Sequence, residues 1–297
     1  MPAVALGQAG GADGCRHRIS SVQLRSVSSV NTELREHVNR DDELPSARMT
    51  KFRTWDGLEL NYRVWEGSGT PVILQHGVVA DTNANWMSTG VVGALQAAGR
   101  TVVSLDARGH GRSDKPHDAA SYSWAAMAKD VSALYDELGL DSVVQVGYSM
   151  GAIISLLVAA ADERVTRLAI GGVGSGVIDC GGVDRRVIEL TELHAAMRGE
   201  QAPDLAVMFR ILADAVHADK VAIEAVATGL DDRPIRDLSE ITVPTLVLAG
   251  DKDPFAAEPE RLAAALPNAK LELVPGDHLL AVTAPAFSAA LVNFVAA

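Results

Sequence analysis

The sequence predicts an α/β protein: a mostly parallel, eight-stranded sheet flanked by helices, with a small helical cap inserted late in the chain. Three observations predict it. Runs rich in Val, Ile and Leu alternate with helical stretches along most of the chain, as strands joined by right-handed crossover helices do. Most of those runs are continuous rather than alternating, which parallel strands covered on both faces require. The alternation breaks once, between Gly176 and about Asp237, where only helical material is found.

Residues 1–48 stand apart. They are rich in Gly, Ser and Arg and hold no sustained period of 2 or 3.6, so they are expected to form a disordered N-terminal extension. Residues 15–30 are Arg- and Ser-rich without an acid, a faint likeness to an organellar transit peptide. A translation start at Met49 is the plainer alternative, and a dispensable extension is the preferred reading. Residues 51–55 and 58–65 read as strands joined at Asp56-Gly57, a dipeptide that tolerates the positive φ of a hairpin turn. Further strands are expected at 71–75, 101–105, 142–146, 167–170, 245–249 and 270–274. Helices are expected at 87–98, 123–138, 152–161, 258–266 and 286–295, with 187–197 and 205–215 in the late insertion. The core therefore spans 49–175 and 238–297, and the insertion at 176–237 forms a cap over the carboxyl ends of the strands, where open α/β sheets bind ligands.

A chain of 297 residues can bury about three quarters of its unfolded surface without a staple. Its formal net charge of −12 and lack of a basic cluster argue against nucleic acid as a partner. Cys15 and Cys180 are far apart and in unlike contexts, so neither a disulfide framework nor metal-ligand spacing is expected, and a cytoplasmic, reducing location fits. No run approaches the roughly 18 apolar residues that a membrane span needs.

Gly147-Tyr148-Ser149-Met150-Gly151 follows a buried strand and precedes an apolar helix, the setting that a G-x-S-x-G nucleophile elbow requires. The turn pushes the serine hydroxyl out of the sheet, and positions two away on each side must lack bulk. His76-Gly77 ends one strand, Asp106-Ala107-Arg108-Gly109-His110-Gly111-Arg112-Ser113-Asp114 follows another, and Gly250-Asp251-Lys252-Asp253 follows a third. From about Lys51 to its end the chain resembles the α/β-hydrolase family, whose oxyanion loop, D-x-R-G-x-G-x-S loop and acid loop these segments match.

The resemblance implies Ser149 as nucleophile, His278 as base and an acid in the loop after residue 249, in the chain order that this fold uses. Asp251 and Asp253 compete for the acid; the family's G-x-x-D placement favours Asp253. Of the other histidines, His17 and His37 fall in the extension, His117 in a polar loop, and His194 and His217 in the cap. His76 and His110 precede the serine and are expected to be structural. The oxyanion donors implied are the backbone N–H groups of Val78 and Met150. Asp277, where relatives often carry a small residue, reads as a cap or solvent-facing side chain, or else as a charge that raises the pKa of His278.

The glycine-rich run 171–176 lacks the Lys-Ser/Thr of a phosphate loop and reads as a hinge beside the pocket. Trp86, Met197, Met208 and Phe209 are candidates for a pocket lining, though core is the commoner fate of such residues. The implied function is a serine hydrolase acting on a carboxylic ester of a small or medium acid, a small-molecule substrate, with no cofactor and no metal. Lactonase, carbon–carbon bond hydrolase and cofactor-free perhydrolase are alternatives with the same residues. A non-catalytic small-molecule receptor is the alternative of another class. Oligomeric state is not readable from the sequence.

Overall fold

A computed structural model describes residues 47–230, 234, 235 and 237–296. All but the last two residues of the expected N-terminal extension lie outside the described residues. Eight strands form one sheet in the order β1-β2-β4-β3-β5-β6-β7-β8. They are β1 (Arg48–Arg53), β2 (Glu59–Trp65), β3 (Ser68–Gln75), β4 (Arg100–Leu105), β5 (Val143–Tyr148), β6 (Val165–Gly171), β7 (Thr245–Gly250) and β8 (Ala269–Val274). β2 pairs antiparallel with β1 and β4, and every later pairing is parallel. The strand order reverses at β3, which lies between β4 and β5, so the carboxyl end of β3 opens a crevice at the switch point.

Helices cover both faces. On one side α2 (Trp124–Leu138), α3 (Met150–Ala161) and α8 (Pro259–Ala265) pack Met127, Leu134, Ile154 and Leu262 into a core with Ile73, Val143 and Leu168. On the other, α1 (Val91–Ala97) and α9 (Pro285–Ala296) pack Val92, Leu95, Phe287 and Leu291 against Val72, Val144 and Leu246. Consecutive residues of β5 thus enter opposite cores, which explains its unbroken apolar run. The polar member of that run, Gln145, is buried but paired: Tyr135 Oη donates to its Oε1 at 2.5 Å and its Nε2 donates to Ser155 Oγ at 2.8 Å.

Between β6 and β7 the chain forms α4 (Gly176–Asp179), α5 (Leu190–Met197), α6 (Asp204–Ala215) and α7 (Lys220–Gly229). Helices α5 to α7 share a small core of their own, built from Leu193, Met197, Met208, Phe209 and Ile223, which also meets Val79 and Phe255. Cys180 is disulfide-bonded, which corrects the expectation that no disulfide forms; the other cysteine, Cys15, lies outside the described residues. The cysteine argument for a reducing compartment falls with it. Among the described residues no helix is long and apolar enough to cross a membrane.

The D-x-R-G-x-G-x-S loop is a buried electrostatic knot. Arg108 is 0% exposed and donates from Nε and Nη2 to Asp130, both at 2.7 Å, and from Nη1 to Asp56 at 2.8 Å and to the Ser121 carbonyl at 2.7 Å. Burial opposes the charge, but Asp130 and Asp56 outweigh it and hold the guanidinium protonated. Removing one member of such a buried pair strands the other. Arg108→Ala is therefore expected to lower unfolding stability by about 3–5 kcal/mol, read as a drop in the urea midpoint at unchanged slope.

Candidate active site

The turn between β5 and α3 places Ser149 at φ 55° and ψ −118°, a conformation that L residues avoid and that only the surrounding packing can hold. The flanking glycines permit that packing. A Cβ on Gly147 would overlap the carbonyl oxygen of Gly151, and one on Gly151 would overlap the carbonyl oxygen of Gln75 at the end of β3. The steric reading of G-x-S-x-G thus has named partners. The amino terminus of α3 points its positive end at the serine hydroxyl.

His278 follows β8 and is 5% exposed. Its Nε2 lies 3.0 Å from Ser149 Oγ, and its Nδ1 lies 3.0 Å from each oxygen of Asp253. With Nδ1 facing a carboxylate it carries the proton, which leaves Nε2 free to accept from the serine. Asp253 is further fixed because its Oδ1 accepts from Phe255 N at 2.9 Å. Asp251 does something else: its Oδ1 accepts from Gly276 N at 2.8 Å, tying the end of β7 to the loop that carries His278. Between the two candidate acids, the geometry puts Asp253 on the histidine. Asp277 accepts from the amides of Leu279 and Leu280, so its carboxylate is used as a local cap.

Three aromatic rings pack on the imidazole: Phe255 at 4.5 Å between centroids, Tyr148 at 5.5 Å and Phe209 at 6.2 Å. Tyr148 Oη donates to the His278 carbonyl at 2.9 Å, and burial pushes its phenol well above the usual tyrosine range, so it stays neutral. Tyr148 and Phe255 were not singled out in the sequence. A tyrosine at the second elbow position carries no signal of a contact made 130 residues away. Of the four pocket candidates, Phe209 faces the site, whereas Trp86 is buried in the core under α1, and Met197 and Met208 are buried in the small core shared by α5 to α7.

His76 and Gly77 follow β3. His76 Nε2 accepts from Ala107 N at 3.0 Å, so the proton sits on Nδ1, which donates to the Gly77 carbonyl at 2.8 Å. Gly77 N donates to Asn85 Oδ1 at 2.8 Å. The loop is held from both sides, and Val78 follows it directly. Among the described residues the N–H groups of Val78 and Met150 meet no protein acceptor. His110 is buried against His76, and burial lowers its pKa to about 3. Its unfolded value is near 6.5, so below that pH the unfolded chain takes up a proton that the folded chain refuses. Stability is expected to fall by up to about 1.4 kcal/mol per unit between pH 6.5 and 3, and His110→Gln should flatten that slope in pH-dependent urea melts.

Two pockets meet at Ser149. The larger, about 860 Å³, runs under α4 to α7 between Trp124, Ile153, Val177, Leu193, Val226 and Phe255. Its charged lining is Asp184, Arg185 and Glu189, of which Asp184 is held by Arg186 at 2.7 Å. The smaller, about 460 Å³, holds His278, Tyr148 and Asn85. Val78, Ser149 and Phe209 line both. In the run 171–176 the glycines are there for close packing as much as for motion: a Cβ on Gly174 would overlap the Ala257 carbonyl, and one on Gly176 would overlap Asp184. Among the described residues no group of three or more His, Cys, Asp or Glu side chains is placed to hold a metal ion.

The model of the alpha/beta hydrolase fold matches residues 70–175, which carry the His76-Gly77 loop and the Ser149 elbow. The chain has the α/β-hydrolase fold. An sn-1-specific diacylglycerol lipase of Danio rerio is 32% identical to this hydrolase over 150 residues, covering 50% of this chain and 45% of that protein. Among solved structures, an esterase from Exiguobacterium antarcticum superposes with a TM-score of 0.69 at 26% identity, covering 84% of this hydrolase and 100% of that chain. The enol-lactonase from Burkholderia xenovorans LB400 superposes with a TM-score of 0.64 at 25% identity, covering 84% and 100%.

Proposed function

We propose that this hydrolase cleaves a carboxylic ester through an acyl-serine intermediate, with Ser149 as nucleophile, His278 as general base and acid, and Asp253 as the group that orients and stabilises the imidazole. The observation that carries the reading is the unbroken chain from Ser149 Oγ to His278 Nε2 and from His278 Nδ1 to Asp253, each link at 3.0 Å. Ser149 Oγ attacks the ester carbon while its proton passes to Nε2. The oxyanion is met by the unengaged N–H groups of Val78 and Met150, each such donor typically worth about 10²–10³ in turnover. Collapse breaks the bond to the leaving oxygen, which takes the proton from Nε2. Water then repeats the sequence on the acyl-enzyme and frees the acid.

The segment 176–237 acts as a lid in this reading, because α4 to α7 roof the larger pocket. The esterase and the diacylglycerol lipase among the similar proteins support an ester as the substrate, and the enol-lactonase makes a lactone the nearest alternative. The test is a panel of acyl esters of rising chain length, lactones and vinylogous diketones. Preferred turnover of an open-chain ester is expected; turnover confined to lactones or diketones would replace the ester by that class.

A further inference from the structure

We infer that the hydrolase recognises its substrate from both sides of the scissile bond, taking an apolar acyl group into the larger pocket and an alcohol that bears an oxygen acceptor into the smaller one, where the Asn85 amide binds it. The inference rests on the ester reading above. His278 must return its proton to the leaving oxygen, so the alcohol has to depart on the His278 side. His278 lines the smaller pocket and is absent from the lining of the larger, which leaves the larger, mostly apolar pocket for the acyl group.

Most of the smaller pocket is apolar, with Ala80, Ala84, Leu212, Leu279 and Val282 in its wall. The hydroxyl of Tyr148 is occupied by the His278 carbonyl. Asn85 differs. Its Oδ1 accepts from Gly77 N, and because a backbone N–H can only donate, that bond fixes which end of the amide is oxygen. The NH₂ end is thereby turned elsewhere, and among the described residues it meets no acceptor. Asn85 is 5% exposed, and the amide nitrogen is not among the fully enclosed unpaired atoms, so what it exposes faces the pocket that it lines. It stands close to the chemistry: a Cβ on Gly77 would lie 3.2 Å from Ser149 Cβ and 3.6 Å from Asn85 Oδ1. A desolvated donor beside the nucleophile, held by its other end, selects a leaving group that offers an acceptor.

The test compares two esters of one acid that differ only in the alcohol, methoxyethyl octanoate and butyl octanoate, in the wild type, Asn85→Ala and Asn85→Asp. Asn85→Asp keeps an oxygen for Gly77 N and removes the donor, so it separates recognition from support of the loop. Any loss common to both esters cancels in the ratio of their kcat/KM values. Both substitutions are expected to lower the methoxyethyl-to-butyl ratio by about three- to tenfold, the worth of one neutral hydrogen bond. A ratio that stays within about twofold of wild type in both variants overturns the inference and leaves the ester reading standing. Failure of the wild type to hydrolyse either ester, with Ser149→Ala as blank, overturns both.

Discussion

Ser149→Ala is expected to lower turnover of the best ester by about 10⁴–10⁶ while leaving the fold in place. The large effect follows from the unit in which Ser149 works. Without its oxygen no acyl-enzyme forms, and the histidine, the acid and the oxyanion donors keep only what they add by binding and polarising the substrate. The fold should tolerate the change because the strain at this turn belongs to the backbone at φ 55°, and Gly147 and Gly151 still supply the close approach. Steady-state kinetics with matched far-UV circular dichroism checks it. A variant as active as wild type would remove Ser149 from the chemistry.

Asp253→Asn is expected to cost about 10⁴ in kcat with little change in KM. An asparagine would fit the same space, but its NH₂ end facing His278 Nδ1 would move the imidazole proton to Nε2, the atom that has to accept from the serine. The wrong tautomer, not lost packing, is the source of the loss. Asp251→Asn makes the contrast. Its carboxylate receives one hydrogen bond, from Gly276 N, and an asparagine oxygen can receive the same bond. A loss of no more than about tenfold is expected there. Equal losses in the two variants would mean that the acid has been placed on the wrong residue.

Those two aspartates show what was legible in the sequence and what was not. The strand order of chemistry-bearing loops was readable, because each loop follows a continuous apolar run that only a buried strand explains. The residue within the acid loop was not readable from composition, since both aspartates are two residues apart in one turn; the family resemblance favoured Asp253, and the structure puts its carboxylate on His278. Element ends shifted where local geometry overrode the apolar pattern. The helix expected at 87–98 starts only at Val91, because Gly90 at φ 84° separates α1 from a π-helical turn at Asn83–Met87. The helix expected from 187 starts only at Leu190, where Glu189 and Glu192 close a capping box. α7 was not singled out, although Asp219, which caps it, is a signal that could have found it.

Asn85 and Tyr148 were illegible for a different reason. Each acts through a contact across loops, Asn85 to the Gly77 amide and Tyr148 to the His278 carbonyl, and neither contact leaves a period or a spacing in the chain. The two pockets were illegible likewise, since they are assembled from segments that follow β3, β4, β5, β7 and β8 and from the stretch between β6 and β7.

In the proposed mechanism Ser149 is an activated nucleophile. Its most direct measurement is labelling of the full chain with a fluorophosphonate probe, followed by peptide mapping of the modified residue. A single modified site at Ser149 is expected, lost in Ser149→Ala and slowed in Asp253→Asn. Correctly folded wild-type protein that stays unlabelled, or that labels at another residue, would contradict it.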